Sequence, residues 1–362
     1  MDAGARSGSG VGTGGRRPKR DPDGVRRVTF AQLFEEFLAF SQVRGRSPTT
    51  LHGYAAAING FWLPEIGDLE IGQLEPHTLD KLYAALLTRE KPAAPSTVRR
   101  YHAILSAALS QAVKWQWIPS NPARLATLPH AGHPASDAPS PEQVRALIAA
   151  CTSTSELLGM FVLVAAVTGC RRGELAALRW GDYADRSLLI RGSAFRLGRR
   201  QGVKQTKTGR HRRVAVDDEL DEILRTWRAR CQRIANDAGS PLDLDCLIFS
   251  SDPDGRAPIN INSVSSSFRR IATRLGLPEV RLHSLRHFAA TQLISSGVDP
   301  RTAASRLGHA NPSMTLRVYA HSTSESEQLA AEVGAKVVLE ETNQSEGPGS
   351  ASRDGSGSTR SS

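Results

Sequence analysis

Across residues 28–130 the apolar positions recur every three or four residues, the spacing of a helix face and not of a strand. Thr29 and Gln32 form a capping box ahead of a stripe of Leu33, Phe34, Phe37 and Leu38. Ser47 followed by Pro48 predicts an N-cap with proline at the first helical position, opening a segment through Tyr54 and Ile58. Pro76 opens a third helix carrying Leu79, Leu82, Tyr83 and Leu86. Ser96 opens a fourth through Val98, Ile104, Leu105, Leu109 and Val113, which ends before Pro119, and Asn121-Pro122 makes a turn.

The helical pattern then breaks. Residues 131–139 (AGHPASDAP) predict an interdomain linker. Ser140 and Gln143 make a second capping box, and residues 157–167 (LLGMFVLVAAV) predict an apolar helix. A sharp turn at Thr168-Gly169 leads into a helix over 171–178. Strand-like runs at 188–190 and 214–216, with a turn at Thr208-Gly209 between them, predict a small antiparallel sheet, and 219–338 predicts mostly helix. The expected organisation is a disordered basic tail (1–27), a helical domain (28–130), the linker (131–139), a mainly helical domain with a small antiparallel sheet (140–338) and a second disordered tail (339–362).

Charge adds a partner to this outline. The 362 residues include 46 Lys or Arg and 36 Asp or Glu, a formal net charge of +10. Such an excess favours a polyanion, nucleic acid ahead of a membrane surface. It is unevenly spread: 28 basic and 21 acidic residues lie in 138–340, against nine and eight in 28–134. The run 191–213 holds nine Lys/Arg and no acid; a solvated face is the ordinary reading, but a run so long without a counter-charge predicts phosphate contact. Cys151, Cys170, Cys231 and Cys246 form no CxxC pair, which argues against a disulfide framework or zinc ribbon. No apolar stretch reaches the ~20 residues of a membrane span. The first thirty residues lack the apolar core of a secretory signal, so a cytoplasmic, nucleoid-associated protein is expected.

No GxxxxGK[ST], GxSxG or HExxH is present. His283 and His287 have the spacing of a metal pair, but no third ligand accompanies them and no metal site is predicted. HSLRH (283–287), opening an apolar-patterned helix, suits an anion held by a helix N-terminus, a histidine and the fork of Arg286; a capping histidine and a structural arginine are the plainer alternative. In TGCRRGE (168–174) Arg171 follows a glycine turn and Glu174 is spaced to orient it. LGH (307–309) is a third such turn, with Tyr319 ten residues beyond its histidine. Each is weak singly; their order along one chain is specific.

TGCRRGE, KTG (207–209), HSLRH, LGH and Tyr319 within PSMTLRVYAH (312–321) together resemble the tyrosine recombinase, or phage integrase, family over about 140–335. More loosely, AINGFW, STVRRYHAILSAALSQAVKWQWI and NPA in the helical block resemble the family's all-α core-DNA-binding domain, a SAM-like helical bundle. The resemblance implies that Arg171 and Arg286 clamp the scissile phosphate, and that Tyr319 attacks it to give a 3′-phosphotyrosyl bond and a free 5′-hydroxyl. His283 would be the base, Lys207 the general acid for the leaving 5′-oxygen, and His309 a hydrogen-bond donor to the phosphate. Lys204 competes with Lys207, which is preferred because it precedes Thr-Gly at the expected hairpin tip. The covalent bond conserves the phosphodiester energy, so no metal, ATP or other cofactor is implied. Expected DNA contacts are Arg99 and Arg100 in the first domain and Arg199, Arg200, Lys204, Arg210 and Arg212 around the hairpin.

The implied partners are double-stranded DNA at specific attachment sites, further copies of the chain in a homotetramer joined by exchange of the C-terminal segment, and a directionality factor, with no membrane. An integrase of a mobile element is the preferred reading. The alternatives are an Xer-like recombinase that resolves chromosome dimers, a type IB topoisomerase-like activity, or an inactive DNA-binding protein.

Overall fold

The computed structural model describes residues 27–130, 138–198, 200–205 and 211–308. Both expected tails (apart from Arg27), most of the linker, the Thr208-Gly209 turn, Arg199, Lys207, Arg210, His309 and Tyr319 lie outside the described residues. The chain divides into two compact units, Met1–Ala135 and Ser136–Ser362.

In the first unit the described residues form helices α1 (Phe30–Val43), α2 (Pro48–Ala57), α3 (Leu63–Ile66), α4 (Pro76–Thr88) and α5 (Pro95–Lys114). The capping box at Thr29 and Gln32 opens α1, and Ser47 caps α2 by accepting from the Thr50 N–H. The sequence predicts a segment running through Ile58, but the chain stays helical through a π-turn, Ile58–Trp62, straight into α3. That turn buries Ile58, Phe61 and Trp62 together, and the indole of Trp62 donates to the Tyr101 carbonyl at 3.2 Å. Phe30, Leu33, Phe34, Leu79, Leu105 and Leu109 complete the core.

The second unit opens with α6 (Pro141–Thr154) and α7 (Glu156–Thr168). Helix α7 is buried on nearly every side, packing against both α6 and α11 (Ser284–Ser295), which explains its unbroken apolar run. Gly169 ends it in the left-handed conformation, φ +64°. Helix α8 (Arg172–Leu175) is shorter than the predicted 171–178. Arg171 is extended, and the Leu178 carbonyl instead accepts from Ile248 N at 2.9 Å, tying that end of the segment to a distant loop.

Strands β1 (Tyr183–Ala184), β2 (Ser187–Ile190) and β5 (Arg212–Ala215) form an antiparallel sheet, with Leu188 opposite Val214. Between β2 and β5 lies a hairpin with its own two-stranded sheet, β3 (Gly192–Leu197) and β4 (Arg200–Gln205), which the sequence pattern does not separate from its surroundings. Its signal is Gly198, φ +57°, between short runs carrying Phe195 and Val203. After α9 (Asp218–Asp237) the predicted helical stretch is interrupted: 238–260 is an irregular segment that bends at Gly239 and Gly255 and buries Ile248 and Phe249. Helices α10 (Ile261–Arg274), α11 and α12 (Pro300–Leu307) follow, α12 ending at Gly308 with φ +69°.

The glycine turns after α7 and α12 are packed on neighbours. A Cβ on Gly169 would stand 2.3 Å from Leu307 Cδ2, and one on Gly308 would stand 2.8 Å from the Arg212 guanidinium. Gly169→Ala therefore combines left-handed strain with overpacking and should destabilise the second unit by roughly 2–4 kcal/mol. Gly198→Ala, with open space around it, should cost only the strain, about 1–2 kcal/mol. Equal denaturant midpoints for the two variants would show that the contact with Leu307 is slack.

Candidate active site

Glu174 is 4% exposed, on α8 just past the α7 turn, and is the anchor of the site. One carboxylate oxygen accepts from Arg171 Nη1 at 2.9 Å and Arg212 Nη1 at 3.1 Å. The other accepts from the Arg171 backbone N–H at 2.9 Å and Arg212 Nη2 at 2.7 Å. Burial on its own would raise the Glu174 carboxyl, but the bonds and charges of Arg212 and Arg171 hold it below the usual carboxylate range.

The two arginines singled out in the sequence come together here. Arg286, on α11, is 3% exposed; its Nη1 donates to the Gly169 carbonyl at 2.9 Å and the Leu307 carbonyl at 2.6 Å. Arg171, 42% exposed, donates Nη2 to the next carbonyl along, that of Gly308, at 2.9 Å. Adjacent peptide groups of one turn therefore hold the two guanidinium groups. This explains why glycine turns accompany both arginines: the left-handed residues end α7 and α12 so that their carbonyls turn inward. The sequence marks Gly169 and Gly308 as turn residues but carries no signal that their turns supply these acceptors.

Arg286 Nη2 is buried and has no hydrogen-bond partner among the described residues. An unpaired buried donor of this kind costs on the order of 1–3 kcal/mol, more for a charged group. Burial and the charge of Arg171 lower the Arg286 pKa to about 10, so it stays charged at neutral pH. The arrangement is a cationic pocket in which Arg286 keeps a donor without an acceptor among the described residues.

His283 occupies the N-cap position of α11 without a side-chain capping bond, and its ring meets His287 edge-on at 5.0 Å. Although part of His283 remains exposed, desolvation by the surrounding protein, followed by His287, Arg286, Arg171 and Arg172, pushes its pKa down to about 4. It is neutral at pH 7. Among the described residues no cluster of three or more His, Cys, Asp or Glu could hold a metal ion, and no helix is long and apolar enough to cross a membrane.

Arg212 departs from its expected place as a DNA contact. Its side chain is 14% exposed and turns inward, because the buried Glu174 carboxylate draws it there. Arg191, in the same basic run, pairs with Asp182. Counter-charges absent from the run 191–213 thus arrive from elsewhere in the chain. Lys204 lies on β4 opposite Ser193, and Arg200 opposite Leu197. In the first unit Arg99 donates to the Pro129 carbonyl at 3.1 Å and Arg100 to that of Gly53 at 3.5 Å, both from exposed positions.

The depressed His283 pKa has a consequence for stability. As pH falls below 6.5 the unfolded chain takes up this proton first, so folding stability declines until the folded group titrates near 4. His287 is lowered in the same direction. Urea midpoints should fall through this window, and His283→Gln should flatten the decline; an unchanged slope would contradict the assignment.

Comparisons with known proteins place the chain in a family. The sequence profile described as the phage integrase family matches residues 140–326. The ICEBs1 integrase of Bacillus subtilis (strain 168) is 31% identical over 186 residues, which cover 50% of this chain and 49% of that protein, so the chain spans about half that relative's length. The integrase of Mycobacterium phage L5 is 27% identical over 273 residues, 74% of this chain and 69% of the phage protein. Among solved structures, the Tn1549 transposon integrase in complex with transposon right end DNA superposes with a TM-score of 0.71 at 20% identity, covering 85% of this chain and 100% of that one. A lambda integrase tetramer bound to a Holliday junction gives 0.62 at 20% identity, covering 81% and 77%. At such identities the superpositions speak for the fold, and the family profile covers the stretch in which the glycine turns, Arg171 and Arg286 lie: the chain belongs to the phage integrase family.

Proposed function

We propose that this protein is a site-specific DNA recombinase, an integrase that cuts and rejoins DNA through a 3′-phosphotyrosyl intermediate and so integrates or excises a mobile element. The observation that carries the reading is the unpaired, buried Nη2 of Arg286 beside the half-exposed Arg171. A scissile phosphate supplies the missing acceptor, and the charge that builds on its oxygens during attack is what two fixed guanidinium groups stabilise best.

In this mechanism the Tyr319 hydroxyl attacks phosphorus and the bond to the 5′-oxygen breaks. Neutral His283 accepts the phenol proton, Lys207 protonates the departing 5′-oxygen, and His309 donates a hydrogen bond to the phosphate. Attack by the 5′-hydroxyl of a second strand reverses the step and completes the exchange. Residues 28–130 serve as the SAM-like core-DNA-binding domain and 140–338 as the catalytic domain. Arg99, Arg100, Arg199, Arg200, Lys204 and Arg210 face DNA phosphates. The lambda integrase tetramer on a Holliday junction supports a homotetramer on DNA. In the proposed reaction that tetramer joins paired attachment sites through its C-terminal segments, a directionality factor chooses between integration and excision, and the whole acts on cytoplasmic DNA.

A nicked suicide substrate carrying an attachment site should trap a covalent protein–DNA band. Tyr319→Phe should abolish the band while retaining DNA binding; a band that persists assigns the nucleophile elsewhere. Binding should weaken at least about tenfold between 50 and 200 mM salt, since several phosphates are neutralised. A shallow dependence would show that the net charge of +10 does not face DNA.

A further inference from the structure

Arg212 begins β5 and touches the supports of both clamp arginines without belonging to the clamp. Its Nη1 and Nη2 engage the two oxygens of Glu174 as a fork. Its Nε donates to the Arg306 carbonyl at 2.9 Å, and its guanidinium lies so close over Gly308 that any Cβ there would collide with it. Glu174 holds Arg171 by side chain and backbone. Residues 306 and 308 flank Leu307, whose carbonyl holds Arg286, and the Gly308 carbonyl holds Arg171. One side chain thus braces the α8 turn, the end of α12 and the strand β5.

The physical need for it is clear from the charges. A carboxylate 4% exposed cannot rely on Arg171 alone, because Arg171 is 42% exposed and has to serve an incoming phosphate. With a second, inward-facing cation in place, Glu174 stays ionised while it orients Arg171. Without that cation the buried carboxyl takes up a proton and loses an acceptor site that fixes the clamp.

We propose that Arg212 is a positioning residue for strand cleavage: it neutralises Glu174 and pins the 306–308 turn, so that Arg171 and Arg286 stand ready for the same phosphate. The assignment rests on the reading of this pocket as a phosphodiester clamp. It separates the basic run into two jobs, with Arg212 committed to protein acceptors while its neighbours face DNA.

The test uses the full chain and single-turnover formation of the covalent adduct from about pH 5 to 9. Arg212→Met should slow adduct formation roughly 10- to 100-fold, the scale of a misplaced catalytic group, with DNA affinity changed less than about threefold. Its rate should also acquire an acidic limb, falling as pH drops, because Glu174 now protonates. Arg212→Lys, keeping charge but not the fork, should fall between Arg212→Met and the wild type. Glu174→Gln combined with Arg212→Met should remove the acidic limb. A wild-type rate in the folded fraction of Arg212→Met, or a loss equal at every pH, would overturn the proposal. Absence of any adduct from the wild-type chain would instead overturn the recombinase reading. Orthovanadate binding then decides the positioning role: at least about tenfold weaker binding to Arg212→Met supports it, and equal binding refutes it.

Discussion

Three guanidinium groups gathered around one buried carboxylate set the terms for the rest of the second unit. Glu174 offsets only part of the charge of Arg171, Arg212 and Arg286, and like charges at this spacing repel unless each is held by its own acceptors. Backbone carbonyls supply those acceptors: Gly169 and Leu307 for Arg286, Gly308 for Arg171, Arg306 for Arg212. An excess of positive charge is thereby held in fixed positions, with Arg212 and Arg286 turned inward and Arg171 still reaching solvent.

Holding carbonyls still requires holding helices still. The α7 turn and the α12 turn meet through Leu307, which is fully buried and packs where a side chain on Gly169 would sit. Helix α7 is itself sunk in the core between α6 and α11. The apolar run that determines its burial therefore also determines where the Gly169 carbonyl points. Packing and electrostatics are one problem here, since a small shift of α7 moves an acceptor of Arg286.

The same pocket explains the low His283 pKa. A histidine beside several cations, partly withdrawn from water, resists taking a proton. The cations gathered here thus also keep an imidazole neutral. Arg212 shows the converse: a residue in a basic run is drawn away from the surface because a buried acid needs it more.

Much of this protein is legible without coordinates. The helix starts at Thr29, Ser47 and Ser140, the apolar helix over 157–167 and the pairing of the two strand-like runs follow from capping chemistry and periodicity, which are local. The order of Arg171, His283 and Arg286 along the chain marks a site because few chemistries use that set. Local pattern could not show the π-turn at Ile58–Trp62, the early end of α8 or the separate β3–β4 hairpin, because long-range pairing and core packing decide each of them. Nor could it show which members of the basic run 191–213 turn to acceptors within the protein. Sequence determined which charges exist; only the tertiary structure decided which carboxylate or carbonyl each one meets, since Glu174, Asp182 and the carbonyls of residues 306–308 lie outside that run and reach it, or the clamp arginines, only through the fold.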